Sequence, residues 1–129
     1  MNANVKLYIL VNKDLKMSTG KLAVSASHAL RIYLEKYQAF SKYINGKFYT
    51  DELYQQWMNY PAIIILKAKE SLLLEIEKLK NNRFGTVRDL GIIGVPPYSL
   101  TAICLGIGEK EKFFQDLKLQ KQFKRCRLL

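Results

Sequence analysis

Three side chains capable of chemistry are spaced along one predicted helix near the N-terminus. Lys21, Ser25 and His28 occur in the stretch "KMSTGKLAVSASHAL". At about 100° per residue, they fall within roughly 60° of one another on one helix face. They offer a positive charge, a hydroxyl and a group that titrates near neutral pH. A solvated helix face would show the same spacing, so other parts of the chain must decide between the two interpretations.

A carboxylate at the end of a predicted strand is a further candidate. Asp89 closes the short strand pattern "FGTVRD". In α/β proteins the ends of strands and the starts of helices border the crevice that holds ligands. Asp89 and Lys21 are therefore predicted to border one crevice, and a turn-capping role for Asp89 is the alternative.

Spacing excludes three familiar kinds of site. A P-loop needs glycine where the chain has Leu15, and Ser or Thr immediately after Lys21. One histidine and two distant cysteines do not form a metal ligand set. An α/β-hydrolase with a Ser-His-Asp triad would require a nucleophile elbow, and the chain has no such motif to go with His28.

The charge of the chain favours a polyanionic partner. Among 129 residues, 21 Lys and Arg stand against 11 acidic residues, which gives a formal net charge of +10. A small domain this basic is attracted to nucleic acid, although dispersed lysines also serve solubility. The longest apolar run, residues 62–66, is too short to span a bilayer, so no membrane partner is expected.

The cysteines and the N-terminus indicate a reduced, cytoplasmic setting. Cys104 lies in an apolar strand pattern, where a free thiol behaves as a small hydrophobe. Cys126 is the only other cysteine. The N-terminal ten residues carry a single lysine and continue into strand-like sequence, which is not typical of a secretory signal.

The element pattern predicts an α/β protein. Apolar runs and helical periodicity alternate in the order strand, helix, helix, strand, helix, strand, strand, helix. The strands are predicted at 5–12, 62–68, 84–89 and 100–107. The first helix is predicted to start at 18–19 and to run past residue 37, and the other helices are predicted at 50–57, 70–82 and 109–123. We expect a three-layer α/β/α sandwich with a mixed four-stranded sheet, in which the first three strands run in parallel. The prediction is a single domain over 1–129, with a basic C-terminal tail at about 123–129.

Two blocks of sequence resemble the type 2 peptidyl-tRNA hydrolase family of archaea and eukaryotes. The first block is a D-L-x-M-x-x-G-K-x-A-x-x-x-x-H-A signature, and the second is an R-D-A-G loop followed by a proline-rich turn and a strand that ends in G-I-G. The matching positions are Asp14, Leu15, Met17, Gly20, Lys21, Ala23, His28 and Ala29, then Arg88, Asp89, Gly91, Pro96, Pro97, Thr101, Gly106, Ile107 and Gly108. The resemblance covers roughly residues 5–120, and two such blocks in order are more specific than either alone.

The resemblance implies hydrolysis of the ester that joins a peptide to the 3′ ribose of tRNA. It implies catalytic roles for Lys21, Asp89 and Thr101. Lys21 would stabilise the oxyanion or hold a phosphate, Asp89 would orient Lys21 or water, and the Thr101 hydroxyl would position the substrate. The substrate-binding positions it implies are Ser25, His28, Arg88 and Ile93.

Some positions depart from the family pattern. Ser25 stands where the family has glutamine, and Ile92 and Ile93 replace a basic residue and a threonine. A non-catalytic RNA- or tRNA-binding module on the same fold is therefore the alternative function. The resemblance implies tRNA as the partner and requires no metal or organic cofactor; a homodimer is compatible with the sequence.

Overall fold

The computed structural model describes residues 4–40, 42–44, 47–49, 52–91 and 94–129, and for residues 38–49 only the backbone is described. The strands are β1 (Val5–Asn12), β2 (Lys42–Ile44), β3 (Lys47–Tyr49), β4 (Ile63–Ala68), β5 (Gly85–Arg88), β6 (Leu100–Glu109) and β7 (Arg127–Leu128). The helices are α1 (Thr19–Phe40), α2 (Glu52–Asn59), α3 (Glu70–Lys78) and α4 (Leu117–Lys124), with 3₁₀ turns at Lys13–Leu15 and Lys110–Lys112.

The main sheet is mixed and has the strand order β5-β6-β1-β4-β7. β1 and β4 are parallel, in a register that runs from Leu7↔Ile63 to Asn12↔Ala68. β6 is antiparallel to both β1 and β5, so β5 runs in the same direction as β1 and β4. The predicted parallel course of the first three strands is confirmed, and β6 is the antiparallel strand that makes the sheet mixed.

The sheet has five strands, so the predicted count of four is wrong. The fifth is β7, which pairs antiparallel with β4 and lies in the segment predicted as a basic tail. A two-residue strand is too short for side-chain alternation to reveal it, which is why the pattern gave no signal. β2 and β3 pair antiparallel in a separate two-stranded sheet. Asn45 and Gly46, at which the sequence pattern is interrupted, lie outside the described part of the chain.

Helices cover both faces of the sheet, as predicted. The side chains of Val5, Leu7, Ile9 and Val11 pack on one face with residues from α1 and α2. Tyr8 and Leu10, which alternate with them along β1, pack on the opposite face with residues from α3 and α4. A strand buried on both faces reads as a continuous apolar run, which is what β1 shows. Cys104 is fully buried in β6, and burial raises its pKa to about 12.

The last predicted helix is shorter than expected. Its first half instead forms the end of β6, a 3₁₀ turn and a bend that carries Phe113 and Phe114 onto the core. Gln120 makes this bend possible, because its amide donates to the Lys110 carbonyl at 2.6 Å and accepts from the Phe114 N–H at 2.9 Å. Burial of two aromatic rings therefore overrides the local helical pattern.

No helix in the described ranges combines the length and apolarity that crossing a membrane requires.

Candidate active site

The first turn of α1 carries Lys21. The Ser18 hydroxyl accepts a hydrogen bond from the Lys21 N–H at 3.2 Å, and the Leu22 N–H donates to the Ser18 carbonyl at 2.9 Å. Ser18 therefore caps the N-terminus of α1. This cap fixes where the helix begins, and so it sets the level at which the Lys21 side chain leaves the backbone.

A close contact between α1 and β5 brings Lys21 towards Asp89. A Cβ atom on Gly85, the first residue of β5, would lie 2.1 Å from the Ala29 carbonyl oxygen of α1. Only glycine permits that approach, because any side chain would collide with helix backbone. The packing of α1 directly on β5 places the helix start beside the strand end where Asp89 lies.

Backbone hydrogen bonds hold Asp89 in a tight turn at the end of β5. The Asp89 N–H donates to the Ser99 carbonyl at 2.9 Å, and the Tyr98 N–H donates to the Asp89 carbonyl at 2.5 Å. The Asp89 Oδ1 accepts from the Gly91 N–H at 2.7 Å. Gly91 has a φ of +80°, and a Cβ there would lie 2.6 Å from Pro97, so the turn needs glycine at this position.

Lys21 and Asp89 form an ion pair between the Lys21 Nζ and the Asp89 Oδ2. The two side chains are 22% and 15% exposed, so the pair lies at the surface but is largely shielded from water. The hydrogen bond from Lys21 lowers the pKa of Asp89, followed by the bond from the Gly91 amide; the charges of Lys21 and His28 add to the effect. The carboxylate form is therefore strongly favoured at neutral pH.

Ser25 and Thr101 are both buried. The Ser25 hydroxyl, one helical turn after Lys21, donates to the Met17 sulfur at 3.8 Å. Thr101 is fully buried, and its hydroxyl donates to the Val87 carbonyl at 3.5 Å. Among the described residues, Thr101 bonds to the β5 backbone rather than to either member of the ion pair.

Arg88 pairs with Glu77 on α3, whereas its neighbour Asp89 pairs with Lys21 on α1. Its guanidinium donates to both carboxylate oxygens of Glu77 on α3, at 3.0 and 2.5 Å, and to the Tyr98 carbonyl at 2.7 Å. The hydrogen bond from Glu77 raises the pKa of Arg88. Because successive side chains of a strand alternate in direction, Arg88 ties α3 to the turn while Asp89 faces α1.

Of the remaining two predicted positions, the structure describes His28 but not Ile93. His28 is exposed on α1, two helical turns after Lys21, and its charge acts on Asp89. Ile93 lies outside the described residues, as does Ile92. Within the described ranges, no group of three or more His, Cys, Asp or Glu side chains converges as a metal site.

Asn12 makes buried hydrogen bonds at the end of β1 that the sequence pattern did not predict. It is fully buried at the end of β1, and its amide donates to the Leu100 carbonyl at 2.8 Å and to Glu70 Oε1 at 3.4 Å. Its Oδ1 accepts from the Asp14 N–H at 2.9 Å. The available signal was a polar residue at the end of an otherwise apolar strand, since a buried amide needs partners.

Fold and site together define an α/β sandwich protein with a lysine–aspartate pair at the edge where its parallel strands end. The family model for peptidyl-tRNA hydrolase PTH2 matches residues 5–120, and the chain belongs to that family.

Curated relatives carry the same name. A peptidyl-tRNA hydrolase of Staphylothermus marinus is 32% identical over 126 residues, which covers 92% of this chain and 97% of the relative. A peptidyl-tRNA hydrolase of Methanococcus maripaludis strain C6 is 33% identical over 120 residues, which covers 86% of this chain and 95% of the relative. The mitochondrial peptidyl-tRNA hydrolase 2 of Bos taurus is 28% identical over 108 residues, covering 80% of this chain and 55% of the relative.

Proposed function

We propose that this protein hydrolyses the ester bond of peptidyl-tRNA and releases a peptide and free tRNA. The observation that carries the proposal is the shielded Lys21–Asp89 ion pair, in a chain that belongs to a family of this activity. The pair sits where a helix start meets the end of a strand, which is where α/β proteins bind their ligands.

The reaction needs a positive charge near the ester carbonyl. A water molecule adds to the carbonyl carbon, and the carbonyl oxygen becomes an oxyanion. The bond from the carbonyl carbon to the ribose oxygen then breaks, the ribose oxygen takes up the proton that the attacking water has lost, and the peptide leaves with a free carboxyl group. The Lys21 ammonium is the group placed to stabilise the oxyanion, and one well-placed donor of this kind is worth about 3 kcal/mol.

Asp89 acts as an orienting group rather than as a strong base. Its lowered pKa makes the carboxylate a weak proton acceptor, but it keeps a negative charge beside Lys21 across the physiological range. The carboxylate holds the ammonium in place with one oxygen and the Gly91 amide with the other. Free lone pairs on both oxygens can orient the attacking water.

The neighbouring residues support the pair in different ways. Thr101 stays a predicted hydroxyl for positioning the substrate and Ser25 a predicted substrate contact, both in buried positions. Arg88, also a predicted substrate contact, holds the turn through Glu77 and Tyr98. Leu90 and Tyr98 are 70% and 68% exposed beside Asp89 and offer an apolar surface on which the substrate can pack. His28 and Ile93 stay predicted substrate contacts.

Substitution of Lys21 tests the proposal directly. Purified protein is incubated with peptidyl-tRNA, and the release of free tRNA is followed. Lys21→Ala should lower kcat/KM by roughly 10²- to 10³-fold, as the loss of one oxyanion donor does in other hydrolases. The matched control is Arg31→Ala, which removes a cation of the same helix that pairs with Glu35 at the exposed surface; its activity should stay within about twofold of wild type.

The outcome also separates the two functions that the sequence leaves open. Absence of release at any enzyme concentration, together with retained tRNA binding, would favour the non-catalytic RNA-binding module. Equal activity of Lys21→Ala and wild type would contradict the role of the pair. The cytoplasm as compartment and a homodimer stay predictions, which fractionation and sedimentation would check.

A further inference from the structure

A strongly basic cleft lies apart from the Lys21–Asp89 pair. A cavity of about 560 Å³ is lined by residues from the ends of β1 and β4, the start of α3 and the segment from α4 to β7. Its lining includes five cationic side chains: Lys13, Lys67, Lys69, Arg125 and Arg127. The rest of the lining is Ser71, Leu72, Gln122 and Cys126, so none of it is acidic. We call this cavity the basic cleft.

The five charges have no compensating partner in the cleft. None of them belongs to an ion pair found among the described residues. Two acidic residues next to Lys13 and Lys69 along the chain, Asp14 and Glu70, make hydrogen bonds but no ion pair with a cleft cation among the described residues. Asp14 accepts from the Glu70 N–H at 2.8 Å, and Glu70 accepts from Asn12 at 3.4 Å. Five exposed like charges around one cavity repel each other unless an anion enters.

The β4–β7 ladder makes this repulsion specific. In its antiparallel register, Lys67 lies directly opposite Arg127. Like charges in that arrangement destabilise a strand pair. Ser71, in the first turn of the nine-residue α3, adds a hydroxyl group to the lining of the same cavity. A phosphate group between the Lys67 and Arg127 side chains would attract both of them and so remove the net repulsion.

The cleft and the ion pair share one edge of the sheet. β1, β4 and β5 run in the same direction, so Lys13, Lys69 and Asp89 all follow the carboxyl ends of strands. In the strand order β5-β6-β1-β4, the strands β5 and β4 are three spacings apart, or roughly 14 Å. At a helical rise of about 3.4 Å per stacked nucleotide, this distance corresponds to roughly four stacked nucleotides.

We propose that the basic cleft binds backbone phosphates of the RNA whose 3′ end carries the ester at Lys21 and Asp89. The inference rests on the proposed function for the identity of that RNA as tRNA. Five cations suit a chain of phosphates better than a single anion, and the shared edge gives the backbone a direct course between the two sites. The phosphates contacted lie about four nucleotides from the ester-bearing ribose.

Binding of deacylated tRNA tests the cleft without any need for hydrolysis. The cleft variant Lys67→Gln, Lys69→Gln, Arg127→Gln should bind tRNA at least tenfold more weakly at about 100 mM salt, because about three phosphate contacts are lost. The control variant Lys78→Gln, Lys80→Gln, Lys112→Gln loses the same charge outside the cleft, and its affinity should change by less than about threefold. Circular dichroism checks the folding of each variant, and the double variant Arg125→Gln, Arg127→Gln replaces a triple variant that fails to fold.

Substrate length gives the second arm. The cleft variant and wild type should hydrolyse an N-acyl-aminoacyl ester of adenosine at equal rates, whereas wild type should be faster on esters of RNA longer than roughly four nucleotides.

Equal losses of tRNA affinity in the cleft and control variants would overturn the proposal, because net charge alone would explain them. Unchanged tRNA affinity, with stabilisation of wild type but not the cleft variant by inorganic phosphate, would also overturn it and assign the cleft to a small free anion. Cleft-dependent tRNA binding without hydrolysis would leave this inference standing and the proposed function refuted.

Discussion

The charge of a single carboxylate decides what the candidate active site can do. Asp89 has a lowered pKa because Lys21 and the Gly91 amide both donate to it, and so it stays ionised where the enzyme would work. A permanently charged partner keeps the Lys21 ammonium in one position. A site that stabilises an oxyanion depends on such preorganised charge, since the group then needs no rearrangement during the reaction.

Removal of the Lys21 charge should therefore change the titration of Asp89. In Lys21→Met the largest cause of the shift is gone, so the pKa of Asp89 should rise towards its ordinary value, while the Gly91 amide keeps part of the effect. NMR titration of the Asp89 carboxyl carbon in wild type and variant measures this change. An identical pKa in the two proteins would show that Lys21 does not hold the carboxylate.

The same shift fixes how stability depends on pH. The folded-state pKa of Asp89 lies below the unfolded value of about 3.9, so the ion pair contributes above that pH, and its contribution is lost as the pH falls through the folded-state pKa. The difference in urea midpoint between wild type and Asp89→Asn should hence be constant from about pH 8 to pH 5 and shrink below about pH 4. A difference that already changes between pH 7 and pH 5 would contradict this assignment.

Residue patterns predicted the approach of Lys21 to Asp89 but not the surroundings of Arg88. Lys21 starts a helix and Asp89 ends a strand, and the α/β architecture alone brings such positions to one edge. Arg88 and Glu77 meet across the opposite face, and their pairing depends on the rotation of α3 about its axis. No spacing within either segment encodes that rotation, so only packing could reveal the contact.

At the level of helices and strands, the C-terminal segment shows how tertiary contacts shape the chain. Helical periodicity extends over 109–123, but the helix forms only from Leu117 to Lys124. Asp116 begins it, because its side chain accepts from the Leu119 N–H at 2.9 Å. Phe123 is fully buried at the far end and fixes the helix against the core, which in turn lets Arg127 and Leu128 reach β4.

Loss of the Asp116 cap should loosen this whole segment. Asp116→Ala leaves a helix N–H without its partner and should lower the free energy of unfolding by about 1 kcal/mol. Asp116→Asn is the matched control, since its amide oxygen can accept the same hydrogen bond. Urea unfolding of the three proteins measures the effect. Equal stabilities of the alanine and asparagine variants would mean that the cap hydrogen bond does not stabilise α4.

For the molecule as a whole, the net charge of +10 acts together with the placement of its charges. The composition predicted a polyanionic partner, but it could not show where the cations gather, because those of the basic cleft come from three separate segments of the chain. Lys124, part of the predicted basic tail, pairs with Glu111 instead of joining the cleft. Charge counted along the sequence therefore overstates the role of some residues and hides that of others.

This arrangement predicts that added salt lowers kcat/KM for peptidyl-tRNA but not for a short substrate without phosphates. Each neutralised phosphate releases condensed counterions, so about four contacts give a slope of log affinity against log salt of roughly −3. For peptidyl-tRNA below saturation, kcat/KM should then fall by roughly 50-fold between about 50 and 200 mM salt. An N-acyl-aminoacyl ester of adenosine has no phosphate to contact, and its hydrolysis should change by less than about twofold over the same range. Stopped assays at four salt concentrations compare the two substrates on one enzyme preparation. An equal salt dependence of both substrates would mean that salt disrupts the Lys21–Asp89 pair itself, and the electrostatic attraction of tRNA would then play no part in turnover.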